Sequence, residues 1–306
     1  MTEKILKGNV TGVIAALFVC ALWGSLFPMI KVSYTAFEMN ANDIPAILLF
    51  AGVRFFVSGI LIFLFRSVKR KRADVPKRKN FGMIFWVALT AIVFHYSFTY
   101  IALSLGQGSK SAIVKQVGFL FLGCFAFLFD KEDRFSVSKM ISGALGFLGI
   151  VVISFDGSSF SFGPGDALLV LASLSSVASM LFSKRAVQTM HPASLTASSQ
   201  FLGGVILCIA ALFIGGSISH FSLFSFLVFC YICIASILAY TLWNMLMKYQ
   251  SLSKLSVIKF TEPVFAVIFS GILLGEDMLK PTYIIAMGIV FVSVLISNKP
   301  LEGDKK

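Results

Sequence analysis

The stretch that decides the fold is ASILAYTLWNMLMKYQSLSKLSVIKFTEPVFAVIFSGILLGED, residues 235–277. It aligns without a gap, at a constant shift of 144, with AIVFHYSFTYIALSLGQGSKSAIVKQVGFLFLGCFAFLFDKED, residues 91–133. The identical pairs are Ala91/Ala235, Tyr96/Tyr240, Ser109/Ser253, Lys110/Lys254, Lys115/Lys259, Phe121/Phe265, Phe125/Phe269, Glu132/Glu276 and Asp133/Asp277. A chance match between two apolar segments would rarely align two lysines inside them, so the chain is predicted to contain an internal repeat.

Composition indicates the environment of this repeat. Of the 306 residues, 58% are hydrophobic and 13% are charged. A soluble domain of this length needs more polar residues to cover its surface, so we predict an all-α integral membrane protein. In a soluble protein the net charge of +12 would favour nucleic acid as a partner. Here the basic residues are expected in cytoplasmic loops, and no nucleic acid is expected to bind.

Stretches of about 20 apolar residues predict ten membrane helices. The first follows a basic lead like that of a signal peptide, but no small-residue cleavage site comes after it, so it is interpreted as a spanning helix. The predicted helices lie at about 10–33, 44–65, 81–103, 108–129, 137–155, 165–183, 194–214, 221–246, 254–274 and 281–298. They divide one membrane domain into a first five-helix repeat, residues 1–155, and a second, residues 156–306.

The distribution of lysine and arginine predicts the orientation. When connections are assigned alternately to the two sides, one side has 20 of the 26 basic residues, whereas the opposite loops have Lys31, Lys110 and Lys280. The positive-inside rule then places both termini in the cytoplasm, in a multi-pass protein of the cell membrane. The basic loop RSVKRKRADVPKRK, residues 66–79, either anchors this topology or binds anionic membrane lipid.

The two repeats are predicted to be inverted relative to each other. Lys110 would begin the fourth helix on the outer side, whereas its equivalent Lys254 would begin the ninth helix on the inner side. Opposite orientation implies a pseudo-two-fold axis in the membrane plane, which is typical of transporters that work by alternating access. The repeat therefore indicates transport more strongly than hydrophobicity does.

Several segments resemble the EamA branch of the drug/metabolite transporter superfamily. They are ALWGSLFPMIK at residues 21–31, the Arg54-Phe55 pair, and residues 239–277, in which EPVFA…GE is the most specific part. The resemblance covers nearly the whole chain and implies ten helices in two inverted halves that move small metabolites, often outward. The chain departs from the family pattern in the fourth helix, where Lys115 and Gln116 stand at positions that are commonly small or apolar.

Lys115 and Lys259 are the main candidates for substrate binding. Each lies about seven residues inside its helix, roughly 10 Å from the helix end. A charge inside the membrane is costly and marks a functional site by default, although a lysine at this depth can also extend toward the headgroups. Their equivalent placement predicts one shared cavity. The distantly similar plastid phosphate translocators use basic residues on the corresponding helices, and that analogy favours an anionic or carboxylate-bearing substrate.

Glu262 lies three residues after Lys259 on one helix face, so the two side chains can neutralise each other. Pro263 removes the donor for the carbonyl of Lys259 and is expected to bend the helix there. The arrangement is either a self-paired kink or a site where Lys259 exchanges Glu262 for a substrate carboxylate or phosphate while Glu262 takes up a proton. Gly24 and Pro28 form a second candidate hinge in the first helix.

Other polar side chains within the spans are candidates to line the cavity. Tyr96 and Tyr100 form one face of the third helix, and Tyr240 and Asn244 form one face of the eighth, with Trp243 nearby. Packing and interface anchoring are the alternative roles for the aromatic residues.

Three further polar residues have two interpretations each. Arg54 has apolar neighbours and needs a partner, so it is either a hydrogen-bonding hub or a substrate contact. Gln116 adjoins Lys115 and is included in the predicted substrate site. His95 adjoins Tyr96 and is either a hydrogen-bonded packing residue or a proton carrier.

The leading hypothesis is secondary active transport of a small anionic or zwitterionic metabolite, such as an amino acid, a carboxylate or a phosphorylated compound. The resemblance favours export. A proton, taken up by Glu262, or another ion is the candidate coupling partner. The alternative is a multidrug or cationic-compound exporter, which is disfavoured because the first helix has no acid from Val10 to Ile30. A lipid-modifying enzyme is less favoured, because no metal-ligand spacing or nucleophile–base set is visible. No cofactor or metal is expected, and the Cys230–Cys233 pair is interpreted as packing.

Overall fold

The computed structural model describes most of the chain. The described residues are 9–40, 42–68, 78–106, 111–112, 114–118, 122, 137–138, 141, 144–145, 148–149, 152, 155–156, 159–160, 162–250, 252–259 and 261–297. The helices are α1 (Asn9–Ala36), α2 (Ile44–Val68), α3 (Phe81–Leu105), α4 (Pro164–Thr189), α5 (Pro192–Phe213), α6 (Leu223–Tyr249), α7 (Leu252–Lys259), α8 (Glu262–Leu274) and α9 (Pro281–Ser297). A short 3-10 turn, Arg78–Asn80, precedes α3, which is π-helical over Ala88–Phe94. Phe155–Asp156 pairs antiparallel with Ser159–Phe160 in a two-residue hairpin.

Within the described residues, six helices are long and apolar enough to cross a membrane. They are α1 to α6, and they match the first, second, third, sixth, seventh and eighth predicted helices. The tenth predicted helix corresponds to α9. The fourth and fifth predicted helices, 108–129 and 137–155, lie largely outside the described residues.

Side chains are distributed as expected for a protein surrounded by lipid. Phe213 is 86% exposed and Leu223 is 76% exposed, whereas Arg54, Lys259 and Glu262 are buried. Exposing large apolar side chains to water is unfavourable, but the hydrocarbon of a bilayer solvates them. Charged side chains instead face the interior of a helix bundle, where they have polar or aromatic neighbours. The chain is a multi-pass membrane protein.

The ninth predicted helix, 254–274, is not one continuous helix, which corrects the prediction. Helix α7 ends at Lys259 and α8 begins at Glu262. Pro263 has no N–H, so the carbonyl of Lys259 lacks its usual donor. Instead the Thr261 N–H and hydroxyl both donate to the carbonyl of Ile258, at 3.0 and 2.8 Å. The break places Lys259 in the last turn of α7 and Glu262 in the first turn of α8, where each charge is favoured by the helix dipole.

Helix α1 continues through the candidate hinge at Gly24 and Pro28, from Asn9 to Ala36, and the hinge role stays a prediction. Gly24 also has a packing role. A β-carbon there would lie 2.6 Å from Cβ of Phe265 and 3.0 Å from the carbonyl oxygen of Glu262. Glycine therefore allows α1 to approach the start of α8 closely, as small residues do between membrane helices. This contact holds the first turn of α8, and Glu262 with it, against α1.

Helix α2 packs closely along α5 through small residues. A β-carbon on Gly52 would lie 2.7 Å from the backbone nitrogen of Cys208, so the two backbones approach each other closely. Another face of α2 contacts α3 and α6, since the ring of Phe55 lies 4.5 Å from that of Tyr96 and the Cys233 thiol donates to the carbonyl of Arg54 at 3.6 Å. The chain thus places Arg54 between three helices.

Candidate substrate cavity

A cavity lies between α1, α3, α4, α5 and α6, with Lys115 and the α7–α8 break in its wall. The space between its walls, including the open mouth, is about 780 Å³. Its lining residues are Trp23, Leu26, Phe27, Ile30, Val87, Ala91, His95, Tyr96, Thr99, Leu103, Lys115, Ser176, Ser179, Met180, Ser183, Ser199, Tyr240, Trp243, Asn244, Met247, Lys259 and Glu262. The lining combines aromatic rings, hydroxyl groups and three charged side chains.

The structure brings most of the predicted site residues together. The predicted residues in the lining are Lys115, Lys259, Glu262, Tyr96, Tyr240, Trp243 and Asn244. Arg54, Tyr100 and Gln116 lie outside the lining, as do Gly24, Pro28 and Pro263. Lys115 and Lys259, which come from segments 144 residues apart, line the same cavity rather than opposite surfaces. Their role in binding a substrate stays a prediction.

Lys259 and Glu262 form an ion pair across the break between α7 and α8. The Lys259 Nζ lies 2.5 Å from the Glu262 Oε2, and both side chains are buried. The same Nζ lies 3.2 Å from the ring centroid of Trp23 and 5.3 Å from that of Trp243. A carboxylate and two indole faces around an ammonium group form the kind of cage that recognises organic cations. In this conformation a side chain of the protein occupies that cage.

Lys115 is the third charge of the lining. It is buried, and its Nζ lies 4.9 Å from the ring centroid of Phe27. The backbone around it is held by Ser173 of α4, whose hydroxyl donates to the carbonyl of Lys115 and accepts from the Gly118 N–H. Since Lys259 and Glu262 neutralise each other, the described lining has one positive charge in excess, and that charge is on Lys115.

Tyrosine and asparagine side chains connect α3, α5 and α6 beside these charges. The Tyr240 hydroxyl donates to the Tyr96 hydroxyl at 3.1 Å, and the Asn244 amide donates to the Thr196 hydroxyl at 2.9 Å. Tyr240 also packs edge-on against Trp23, with ring centroids 5.6 Å apart. These bonds fix the orientation of the aromatic wall.

Two features of the lining were not predicted. One is Trp23, which stands next to Gly24 and has the described aromatic ring nearest to the Lys259 ammonium. The other is a row of hydroxyls on α4, formed by Ser176, Ser179 and Ser183, which the lining includes. Their spacing of three and four residues is the helical period, so the sequence contained a usable signal for this face.

Three other residues adopt specific contacts. The His95 Nδ1 lies 2.8 Å from the carbonyl oxygen of Ala172, in a hydrogen bond that links α3 to α4. The Gln116 amide donates to the carbonyl of Ala112 at 3.3 Å. Arg54 is fully buried, and its guanidinium carbon lies 4.2 Å from the ring centroid of Phe55. Within the described part of the chain, no cluster of three or more metal-ligating side chains occurs.

Comparisons with known proteins agree with this architecture. The model of the EamA-like transporter family matches residues 10–155 and residues 163–298. The uncharacterized inner membrane transporter YedA of Escherichia coli K12 is 25% identical over 292 residues, which cover 94% of this chain and 90% of that protein. An uncharacterized transporter of Archaeoglobus fulgidus is 25% identical over 283 residues, covering 90% and 94%.

A solved crystal structure is similar in fold. It superposes with a TM-score of 0.66 at 17% sequence identity, covering 95% of this chain and 97% of the other. The family model matches most of the chain, in agreement with the apolar spanning helices. The chain is therefore a multi-pass membrane protein that belongs to the EamA-like transporter family.

Proposed function

We propose that this protein is a secondary active transporter that moves a small anionic or zwitterionic metabolite across the cell membrane, in the export direction, by alternating access. The observation that carries the proposal is the cavity lined by Lys115 and by the Lys259–Glu262 pair. The described lining has two lysines and one carboxylate, and an excess positive charge is unfavourable inside a bilayer, so an anionic group of a substrate would compensate it. The family provides the transport function, and the excess charge provides the preference for an anion.

The cavity chemistry disfavours the alternative of a cationic-compound exporter. Glu262 provides the carboxylate of the described lining, and this carboxylate is already paired with the Lys259 ammonium at 2.5 Å. A cationic substrate would have to displace Lys259 and would then leave two uncompensated lysines in the same space. An anion needs no displacement, because it adds a negative charge beside Lys115. A substrate carboxylate can also attract Lys259 away from Glu262, which could then take up a coupling proton.

Pairs of equivalent residues support two inverted repeats of five helices. The family model matches two consecutive segments of similar length. Tyr96 and Tyr240, which the shift of 144 makes equivalent, donate and accept one hydrogen bond between them. Two equivalent residues touch where a pseudo-two-fold axis passes close to both. A substrate cavity on such an axis is the arrangement expected for alternating access.

Two lysines form bridges between helix ends. In the predicted topology, these bridges lie on opposite sides of the membrane. Lys31, near the end of α1, donates to the carbonyl of Gly106, just after α3, at 2.6 Å. Lys184, near the end of α4, donates to the carbonyls of Met247 and Gln250 at the end of α6, at 2.9 and 2.8 Å. In each half, the lysine of the first helix thus caps the end of the third helix. We infer that these bridges help to close the outer and inner mouths of the cavity.

Removing either bridge should change access to the cavity from one side. In the Ser179→Cys variant, a membrane-impermeant maleimide added to oriented vesicles reports that access. Lys31→Met, which loses one charged hydrogen bond, should raise labelling from outside by roughly tenfold. Lys184→Met, which loses two, should raise labelling from the cytoplasmic face by roughly tenfold or more. The same lysine variants with native Ser179 correct for the native cysteines. An increase from the same side in both variants would contradict the two-gate arrangement.

The proposed function predicts which compounds leave a loaded vesicle. Proteoliposomes loaded with a whole metabolite extract should lose anionic or zwitterionic compounds faster than protein-free liposomes, as measured by mass spectrometry of the external solution. An imposed pH gradient should change this rate if a proton is coupled. Loss of cationic compounds alone, or of none, would contradict the proposal.

A further inference from the structure

Arg54 is a buried cation that the substrate cavity does not use. Its side chain is fully buried in the middle of α2, and it is absent from the cavity lining. The guanidinium carbon lies 4.2, 4.8 and 5.5 Å from the ring centroids of Phe55, Tyr96 and Tyr100. Tyr96 itself lines the cavity, so its ring separates Arg54 from that space.

Among the residues that the structure describes, the hydrogen-bonding capacity of Arg54 is not satisfied. None of its nitrogens, Nε, Nη1 and Nη2, makes a well-formed hydrogen bond to any of the residues that the structure describes, although the Tyr96 hydroxyl lies near the guanidinium. Guanidinium has five N–H donors in a plane and no acceptor. Aromatic faces attract the cation but do not accept its in-plane hydrogens as a lone pair does, so they compensate only part of the cost of burial. A group with acceptor lone pairs and negative charge would satisfy the remainder.

Two hydroxyl groups beside Arg54 also lack well-formed hydrogen bonds among the described residues. Ser58, one helical turn further along α2, and Tyr100 on α3 are both fully buried. Neither hydroxyl makes a well-formed hydrogen bond in the described part of the chain, although the Cys233 thiol lies near the Ser58 hydroxyl. Residues four apart share a helix face, so Ser58 lies on the Arg54 side of α2. The Arg54 carbonyl, which a serine at this position often binds, already accepts the thiol of Cys233.

We propose that Arg54, Ser58 and Tyr100 bind a small monovalent anion of the chloride type, in a site separate from the substrate cavity. Guanidinium can only donate, and both hydroxyls are able to donate, so one anion can accept from all three. A spherical monovalent anion also neutralises the single positive charge of Arg54, so that no net charge remains in this part of the bundle. The anion would join α2 to α3 and stabilise the wall that Tyr96 forms. This proposal does not depend on the identity of the transported substrate.

The test is the chloride dependence of thermal stability in the purified, detergent-solubilised protein. Unfolding is followed by tryptophan fluorescence in sodium chloride and in sodium gluconate at equal ionic strength. Because an anion that binds only the folded state stabilises it by mass action, Tm should rise with the logarithm of chloride concentration and should stay unchanged in gluconate. Equal Tm values in the two salts would overturn the proposal and leave the aromatic rings, or water, as the partners of Arg54.

Variants locate the site. Arg54→Gln should abolish the chloride dependence, whereas Lys115→Gln, the matched change in the cavity, should retain it. Tyr100→Phe and Ser58→Ala keep the cation and should each raise the chloride concentration for half-maximal stabilisation about tenfold, as expected for loss of one hydrogen bond to a charge. If Arg54→Gln does not fold, the chloride dependence of Tm in these two milder variants tests the site instead. Unchanged chloride dependence in both of them, or loss of it in Lys115→Gln, would overturn the assignment.

The carboxylate group of a substrate can accept the same hydrogen bonds as chloride. A further titration distinguishes a carboxylate from chloride as the ligand of Arg54. Sodium formate replaces sodium chloride in the same measurement. Stabilisation by chloride, with or without an equal effect of formate, supports a site for small monovalent anions. Stabilisation by formate alone, lost in Arg54→Gln, would assign Arg54 to a carboxylate ligand and overturn the chloride site.

Discussion

Replacing Lys115 with glutamine should lower the efflux of the transported anion from proteoliposomes by about tenfold to a hundredfold. The range corresponds to the loss of one hydrogen bond to a charged group. Lys115 carries the excess positive charge of the described lining, because Lys259 and Glu262 neutralise each other. Glutamine keeps a polar donor of similar length and removes the charge. The measurement is the mass-spectrometric efflux assay described above.

Two further variants make this result specific to charge in the cavity. Lys115→Arg keeps the positive charge and should retain more transport than the glutamine variant. Lys248→Gln removes a lysine near the end of α6 that does not line the cavity, and it should transport as wild type does. If Lys115→Gln transports the anion at the wild-type rate, the substrate does not use this charge, and the proposed binding mode is wrong.

Changing one member of the Lys259–Glu262 pair should destabilise the protein more than changing both. Lys259→Met leaves a buried carboxylate, and Glu262→Gln leaves a buried ammonium, so each should lower the free energy of unfolding by about 3–5 kcal/mol. The double variant removes both charges together and should recover much of that loss. Unfolding of the purified protein in mixed detergent micelles provides all four values for a double-mutant cycle.

The cycle separates the ion pair from general packing of the same side chains. A strong coupling energy is expected because the two groups lie 2.5 Å apart in a buried position. If the two single losses simply add in the double variant, the contact is not an energetic unit. Transport should remain low in the double variant even where stability recovers, because Lys259 is absent from the cavity.

Individual residue predictions and the structure agree where a short sequence pattern allows only one spatial arrangement. Lys115 and Lys259 were paired by a constant shift, and the fold brings both into one cavity. Glu262 was paired with Lys259 because they are three residues apart, and the two charges are in contact. The predicted kink at Pro263 became a complete break, since a missing N–H and a tight turn at Thr261 end one helix and start another.

Other properties depend on contacts between residues far apart in the chain. Trp23 contacts Lys259 because Gly24 allows α1 to approach α8, and no periodicity within either helix shows that meeting. Arg54 was a candidate substrate contact; it is absent from the cavity lining, and its guanidinium lies against the rings of Phe55 and Tyr96. The same packing left its nitrogens, and the hydroxyls of Ser58 and Tyr100, without well-formed hydrogen bonds among the described residues.

The sequence by itself determined that this chain is a helical membrane protein, and it predicted an internal repeat with charges at equivalent depths. Those conclusions follow from the length, hydrophobicity and spacing of segments, which are local properties of the chain. The tertiary structure alone decided which side chains line one cavity, that Lys115 carries the excess positive charge of the described lining, and which cation lies behind the cavity wall. The physical reason is that the cost of a buried charge depends on the groups packed around it, and helix packing brings those groups from distant parts of the sequence.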